Sequence, residues 1–143
     1  MSTSNDTLLT SLQVKILKMK AEGLTFDEIA RRLGVSKSSV YTVYKNAIHN
    51  IEKARNTLRL YAEIFGGIEV SIPKNTPINN IVSIILREAD IHGIKINRSS
   101  SSILLYLFKK ARECFNLDDE VLSCGLKIRI TLDGNLEVVE KQL

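Results

Sequence analysis

A single stretch, TFDEIARRLGVSKSSVYTVYK at residues 25–45, constrains this chain more than anything else in it. Thr25 is a helix N-cap residue, and Glu28 three positions on can return the bond to make a capping box. Ile29, Ala30 and Leu33 give the short helix that follows an apolar stripe. Gly34 stands where a helix stop needs a residue at ease with positive φ. Val35 is expected to plug the turn. Ser36 is expected to cap a second helix whose Val40, Val43 and Tyr44 face back inward. Two helices joined by so short a turn cross steeply, so the second stands proud of the first. Its outer side then carries Lys37, Ser38, Ser39, Tyr41, Thr42 and Lys45. These side chains are of the types that meet phosphates and base edges. The pattern is that of a helix-turn-helix, and its caps, glycine and core positions together demand more than a plain helical hairpin would.

A stable helix-turn-helix needs a third helix across the pair. Thr10 followed by Gln13 forms another capping box, with Leu9 placed as a hydrophobic staple. The helix predicted from there ends near residue 21, before Gly23, and offers Leu12, Ile16, Leu17 and Met19 to the core. Residues 1–9 are polar and are expected to be loose. Charge supports a polyanionic partner for this half. Residues 1–65 hold ten Lys and Arg against six acids, whereas residues 66–143 hold ten of each. The whole net charge of +4 therefore lies with the helix-turn-helix, as phosphate binding requires. Lys15 and Lys18 on the outer face of the first helix read as solvated.

The helix that starts after Ser36 meets no stop until Gly66 and Gly67. Along it Val40, Tyr44, Ala47, Ile51, Ala54, Leu58, Tyr61 and Phe65 alternate in steps of four and three, a period of about 3.5 residues. The later members need a surface to pack on, either a partner chain or the C-terminal half. A break into two helices at Asn50 or Asn56 is the other reading. Beyond it, 68–72 reads as a strand closed by Pro73, and Thr76-Pro77 as an N-cap and first-turn proline. A helix to about residue 91, a short strand at 94–96 and a helix from about 99 to 115 are expected next, then a loop over 116–125. Strands over 126–132 and 136–140 flank an Asp133-Gly134 turn. The predicted class is α+β. An all-α helix-turn-helix domain with a long connecting helix (1–65) is joined to a small β-α-β-α-β-β domain (66–143) for dimerisation or ligand sensing. The first β-α-β unit is expected to cross over right-handedly if its strands are parallel.

Other classes find less support. No apolar run approaches the roughly 20 residues of a membrane span, and residues 1–9 do not resemble a secretory signal. Cys114 and Cys124 lack CxxC spacing and read as reduced thiols of a cytoplasmic protein. His49 and His92 are far apart, so no metal or cofactor is expected. Asp118, Asp119 and Glu120 are adjacent in a loop and Cys124 has no evident histidine partner, which argues against an enzyme. Arg98 with Ser99 and Ser100 at a helix start is a weak anion-site candidate, for which redundant capping is the plainer account.

Three further motifs point to a family: HNIEKARNTL at 49–58, ADIHGIKI at 89–96 and TLDGNLEVV at 131–139. With them the order of parts resembles the Tfx family of archaeal DNA-binding transcriptional regulators over nearly the whole chain. The helix-turn-helix alone is generic and is also similar to region 4 of bacterial sigma factors. The resemblance implies an N-terminal helix-turn-helix, a C-terminal α/β domain and transcriptional regulation in an archaeal cytoplasm. In the recognition helix this chain has VSKSSVYTVY where the family pattern reads nearer TSRANVSxIE, so capping Ser36 and core Val40 remain while the outward residues differ.

With Val40 inward and about 100° per residue, Ser38, Thr42 and Lys45 point most directly away from the core. They are the expected base readers, with Lys45 suited to guanine acceptors. Lys37 beside the helix N-terminus suits a phosphate. Ser39 and Tyr41 flank that line, and Tyr41 is suited to a thymine methyl or a phosphate, or to packing on the preceding helix. Thr25 and Gln13 near helix N-termini and Arg31 complete the expected contacts with double-stranded DNA. A homodimer and a small-molecule or anion effector are the other expected partners. A sigma-like RNA polymerase accessory factor on promoter DNA is the alternative function.

Overall fold

In a computed structural model, which describes residues 6–143, local chemistry sets the first three helices. Both capping boxes form. The Thr10 amide donates to Gln13 Oε1 at 3.0 Å and the Gln13 amide to Thr10 Oγ1 at 3.2 Å, opening α1 (Ser11–Ala21). Thr25 and Glu28 do the same for α2 (Phe26–Leu33). Gly34 closes α2 at φ 68°, a left-handed conformation that costs glycine nothing. The Ser39 amide donates to Ser36 Oγ at 3.1 Å at the start of α3 (Lys37–Phe65). Of residues 1–9, expected to be loose, residues 1–5 lie outside the described residues.

The chain divides into two compact units between Asn56 and Thr57, inside α3, which is one uninterrupted helix without a break at Asn50 or Asn56. The core of the first unit is Ile16, Leu24, Ile29, Ala30 and Val40, with Met19, Phe26, Leu33, Val43 and Tyr44 packed on it. Two expectations fail here. Val35 is exposed and does not plug the turn, and Leu12 is also exposed. Leu24, just before the α2 cap, is buried in the core instead.

The second unit is built on three antiparallel strands, β1 (Gly67–Ile72), β4 (Gly125–Thr131) and β5 (Leu136–Gln142), with β4 central. Ile68, Val70 and Ile72 stand opposite Ile130, Ile128 and Leu126, so both strands turn one apolar face to the same side. Helices α4 (Ile78–Ile91) and α5 (Ser100–Lys110) supply Ile81, Ile85, Ile103 and Leu107 to that core. The α+β class holds, but the strand order does not. Residues 94–96 form no strand, so no β-α-β crossover exists, and β1 pairs with β4. The expected loop at 116–125 contains a small hairpin, β2 (Phe115–Asn116) with β3 (Val121–Leu122), entered from a 3-10 helix at Arg112–Cys114. Thr76 is not the cap of α4. Its hydroxyl donates to the Pro73 carbonyl at 2.7 Å, and Pro77 occupies the cap position.

The hairpin also overturns the reading of two free thiols. Cys114 and Cys124 are joined in a disulfide, with Cα atoms 5.0 Å apart and both residues buried. Ten residues of separation gave no hint of this. The chain reversal through β2 and β3 brings the ends together, and the Ser123 amide donates to the Cys114 carbonyl at 2.7 Å.

Candidate nucleic-acid interface

The exposed side of α3 gathers most of the expected contacts. Lys37, Ser38, Ser39, Thr42 and Lys45 are all exposed, while Val40 is buried beneath them. Ser38, Thr42 and Lys45 therefore share the outward line that the helical period requires. At the helix start the Ser36 hydroxyl bonds to Ser39 Oγ at 2.8 Å and lies 3.2 Å from Ser38 Oγ, so the cap also orders two of the outward hydroxyls.

Tyr41 packs on the preceding helix, one of the two readings expected for it, and stays partly open to solvent. Its ring meets the Phe26 ring edge-on at 5.5 Å and 88°, yet the residue remains 47% exposed. Phe26 is itself held by Tyr44 at 5.3 Å and by the Lys20 ammonium 4.3 Å from its ring centroid. Lys45 Nζ lies 5.6 Å from the Tyr41 ring. The aromatic group thus rests on Phe26 and stays partly exposed beside Lys45. Such edge-to-face contacts are worth about 0.5–1.5 kcal/mol beyond the area they bury.

The remaining expected residues are arranged differently. Thr25 is exposed and Arg31 lies exposed in the last turn of α2. Gln13 is only 8% exposed and its side-chain oxygen is taken by the α1 cap. The Thr25 hydroxyl and then the Thr25 amide, both donated to the Glu28 carboxylate, hold its pKa below the ordinary 4.5, with smaller help from Arg31 and Arg32. In the second unit Ser99 caps α5, accepting from the Ser102 amide at 3.2 Å. Arg98 donates to Ser102 Oγ at 3.4 Å and stacks 4.9 Å from the Tyr106 ring, so the candidate anion site is largely self-satisfied.

Asp27 belongs to the surface and was not anticipated. Its Oδ2 lies 3.5 Å from Lys37 Nζ, an ion pair between the first turns of α2 and α3 with both side chains well exposed. A carboxylate in the first turn is ordinary helix chemistry. Only the crossing of the two helices places it against the lysine. Asn50 was missed as well. Its side-chain amide donates to the Leu8 carbonyl at 3.3 Å and ties the segment before α1 to α3. Among the described residues no group of three His, Cys, Asp or Glu could hold a metal, and no helix is long and apolar enough to cross a membrane.

Two family models match consecutive parts of the chain. Residues 54–138 match the family model described as the C-terminal part of the DNA-binding protein TFX, and residues 10–55 match a homeodomain-like domain. A Methanocaldococcus jannaschii protein, provisionally named a transcriptional regulatory protein, is 32% identical over 93% of this chain and 96% of its own length. A similarly named protein of Pyrococcus abyssi is 38% identical over 73% of this chain and 72% of its own. The DNA-binding protein Tfx of Methanothermobacter thermautotrophicus is 27% identical over 94% of this chain and 96% of its own.

Proposed function

The chain belongs to the Tfx family, and from that membership we propose that it is a sequence-specific DNA-binding transcriptional regulator that reads the major groove with α3. The observation that carries the reading is the polar, basic outer line of α3 above a buried Val40. Lys37 and the first amides of α3 take a phosphate. Ser38, Thr42 and Lys45 read base edges, with Ser39 and Tyr41 on either side of them. Thr25 and Arg31 meet the adjacent backbone. Gln13 acts through its cap, which holds the N-terminus of α1 for a phosphate. The protein acts in the cytoplasm without catalytic chemistry or cofactor. Residues 1–65 carry the DNA-binding domain and its long connecting helix, whose end joins residues 66–143 in assembly, and residues 66–143 serve sensing.

A homodimer completes the proposal, because one helix-turn-helix makes few base contacts. In the last turns of α3, Leu60, Tyr61, Ile64 and Phe65 are 54%, 50%, 67% and 60% exposed. Four large apolar side chains on adjacent turns make a surface suited to an identical copy. Two half-sites would then lie about 10 bp apart or at multiples of that.

Footprinting on genomic fragments, followed by titration against random DNA at matched salt, tests the reading. A short protected site bound more tightly than random DNA is expected. Equal affinity for all sequences, or no binding at low salt, would overturn it.

A further inference from the structure

Two adjoining cavities open between the start of α4, helix α5 and the β2–β3 hairpin. One, of about 340 Å³, is walled mainly by Ile78, Leu104, Leu105, Phe108, Phe115 and Leu117. The other, of about 500 Å³, shares Ile78 and Leu117 and adds Asn79, Asp119 and Glu120. Both are within the size range of small-molecule sites, about 300–1,000 Å³. Together they form one trough, apolar at the α5 end and polar at the hairpin end. Leu105 and Leu117 stand exposed along it.

The polar end carries two opposite requirements. Helix α4 begins at Pro77, which provides no side-chain cap. The Ile78 amide donates to the Glu120 carbonyl at 2.9 Å and the Asn80 amide to the Pro77 carbonyl at 2.9 Å. The Asn79 amide between them has no hydrogen-bond acceptor among the described residues. A free amide at a helix N-terminus favours an anion. Asp119 and Glu120 of the hairpin line the same cavity. Asp119 accepts from the Asn116 side-chain amide at 2.9 Å, and neither Asp119 nor Glu120 enters any ion pair among the described residues. They favour a cation.

A simple anion in the trough would meet uncompensated carboxylates, and a simple amine would leave the Asn79 amide unmet. A zwitterion with an apolar tail satisfies all three surfaces. We propose that the trough binds a free amino acid with a large apolar side chain. The α-carboxylate accepts from the Asn79 amide, the α-ammonium donates to Asp119 and Glu120, and the side chain lies against Leu104, Leu105 and Phe108. The Cys114–Cys124 disulfide closes the hairpin that forms one wall, so little ordering is required on binding. The site lies wholly in the second unit.

Calorimetric titration of the full chain with L-leucine, with 3-methylbutylamine and with 4-methylpentanoate tests this. Leucine should bind one to one, with each half-ligand at least about tenfold weaker. Asp119→Asn combined with Glu120→Gln should weaken leucine by a similar factor, and Leu105→Glu should abolish its binding. All three residues line a surface, and the half-ligand comparison on the unaltered chain needs no variant. No binding of leucine, valine or phenylalanine at about 10 mM would overturn the proposal, as would a half-ligand that binds as tightly as leucine. DNA titration of the same samples keeps a failure of the DNA reading separate.

Discussion

Asp27 and Lys37 face each other across the helix-turn-helix, Oδ2 to Nζ 3.5 Å, at the start of the helix proposed to enter the groove. An exposed pair of this kind contributes at most about 1 kcal/mol to folding. Its larger consequence is for binding, since the lysine best placed for a phosphate already has a carboxylate beside it. Asp27→Asn is expected to tighten operator and random DNA alike, by a factor of about 2–5. Lys37→Met is expected to weaken both and to reduce the slope of log affinity against log salt by about 1. Anisotropy titrations over a salt series measure both effects. No change in affinity or slope for either variant would remove Lys37 from the interface.

Thr42 and Lys45 share the outward line of α3 and stand free of its core. Thr42→Ala or Lys45→Ala should cost about 1–3 kcal/mol on the operator and relax selectivity at one base position. Titration against a panel of single-base operator variants shows it. Unchanged affinity on operator and random DNA would exclude the residue from base contact.

The exposed Leu60 and Ile64 supply the test of assembly. Leu60→Glu together with Ile64→Glu should give a monomer by light scattering and weaken operator binding, with the helix content by circular dichroism unchanged. An unaltered protein that is monomeric both free and on DNA would rule the dimer out.

Glu28 makes the α2 cap sensitive to acid. Its folded pKa lies below the ordinary 4.5, chiefly because the Thr25 hydroxyl and amide donate to the carboxylate. The stabilisation is therefore complete above the unfolded value and is lost as pH falls through the folded one. Glu28→Gln keeps a capping oxygen, as Gln13 does in α1. The thermal midpoints of the two proteins should differ most near neutral pH and converge in acid. A difference that is constant with pH would show that the charge contributes nothing.

The disulfide closes a short loop, and chain-entropy estimates give such a link on the order of 2–3 kcal/mol. Replacing Cys114 and Cys124 by Ala should lower the unfolding midpoint of the second unit. It should leave DNA affinity at low salt unchanged, because the interface lies in the first. Calorimetry and DNA titration of the same sample measure the two outcomes.

Two of the motifs behind the family resemblance are joined in space. A Cβ on Gly134 would come within 2.2 Å of the Lys95 carbonyl, and the Asn97 side chain donates to the Asp133 carbonyl at 2.9 Å. The segment at 94–97 is thus held against the β4–β5 turn as irregular chain. Its alternating Ile94 and Ile96 reflect packing on the core rather than a strand ladder.

What the sequence determined by itself is local. Thr10 with Gln13, Thr25 with Glu28, Ser36 with Ser39 and the glycine after α2 act across three or four residues, so the helix-turn-helix and its outward side chains were legible before any folding. Tertiary structure decided what depends on distant partners. It chose β4 rather than residues 94–96 to meet β1, and it joined Cys114 to Cys124 through a hairpin of two-residue strands. It set Asp27 against Lys37, and it left Tyr61 and Phe65 of the α3 stripe uncovered, with Leu60 and Ile64, outside that stripe, exposed beside them. Hydrogen bonds across one helical turn are encoded within the turn. Strand register, thiol proximity and burial are set by which remote surfaces meet, and residue spacing along the chain does not carry that information.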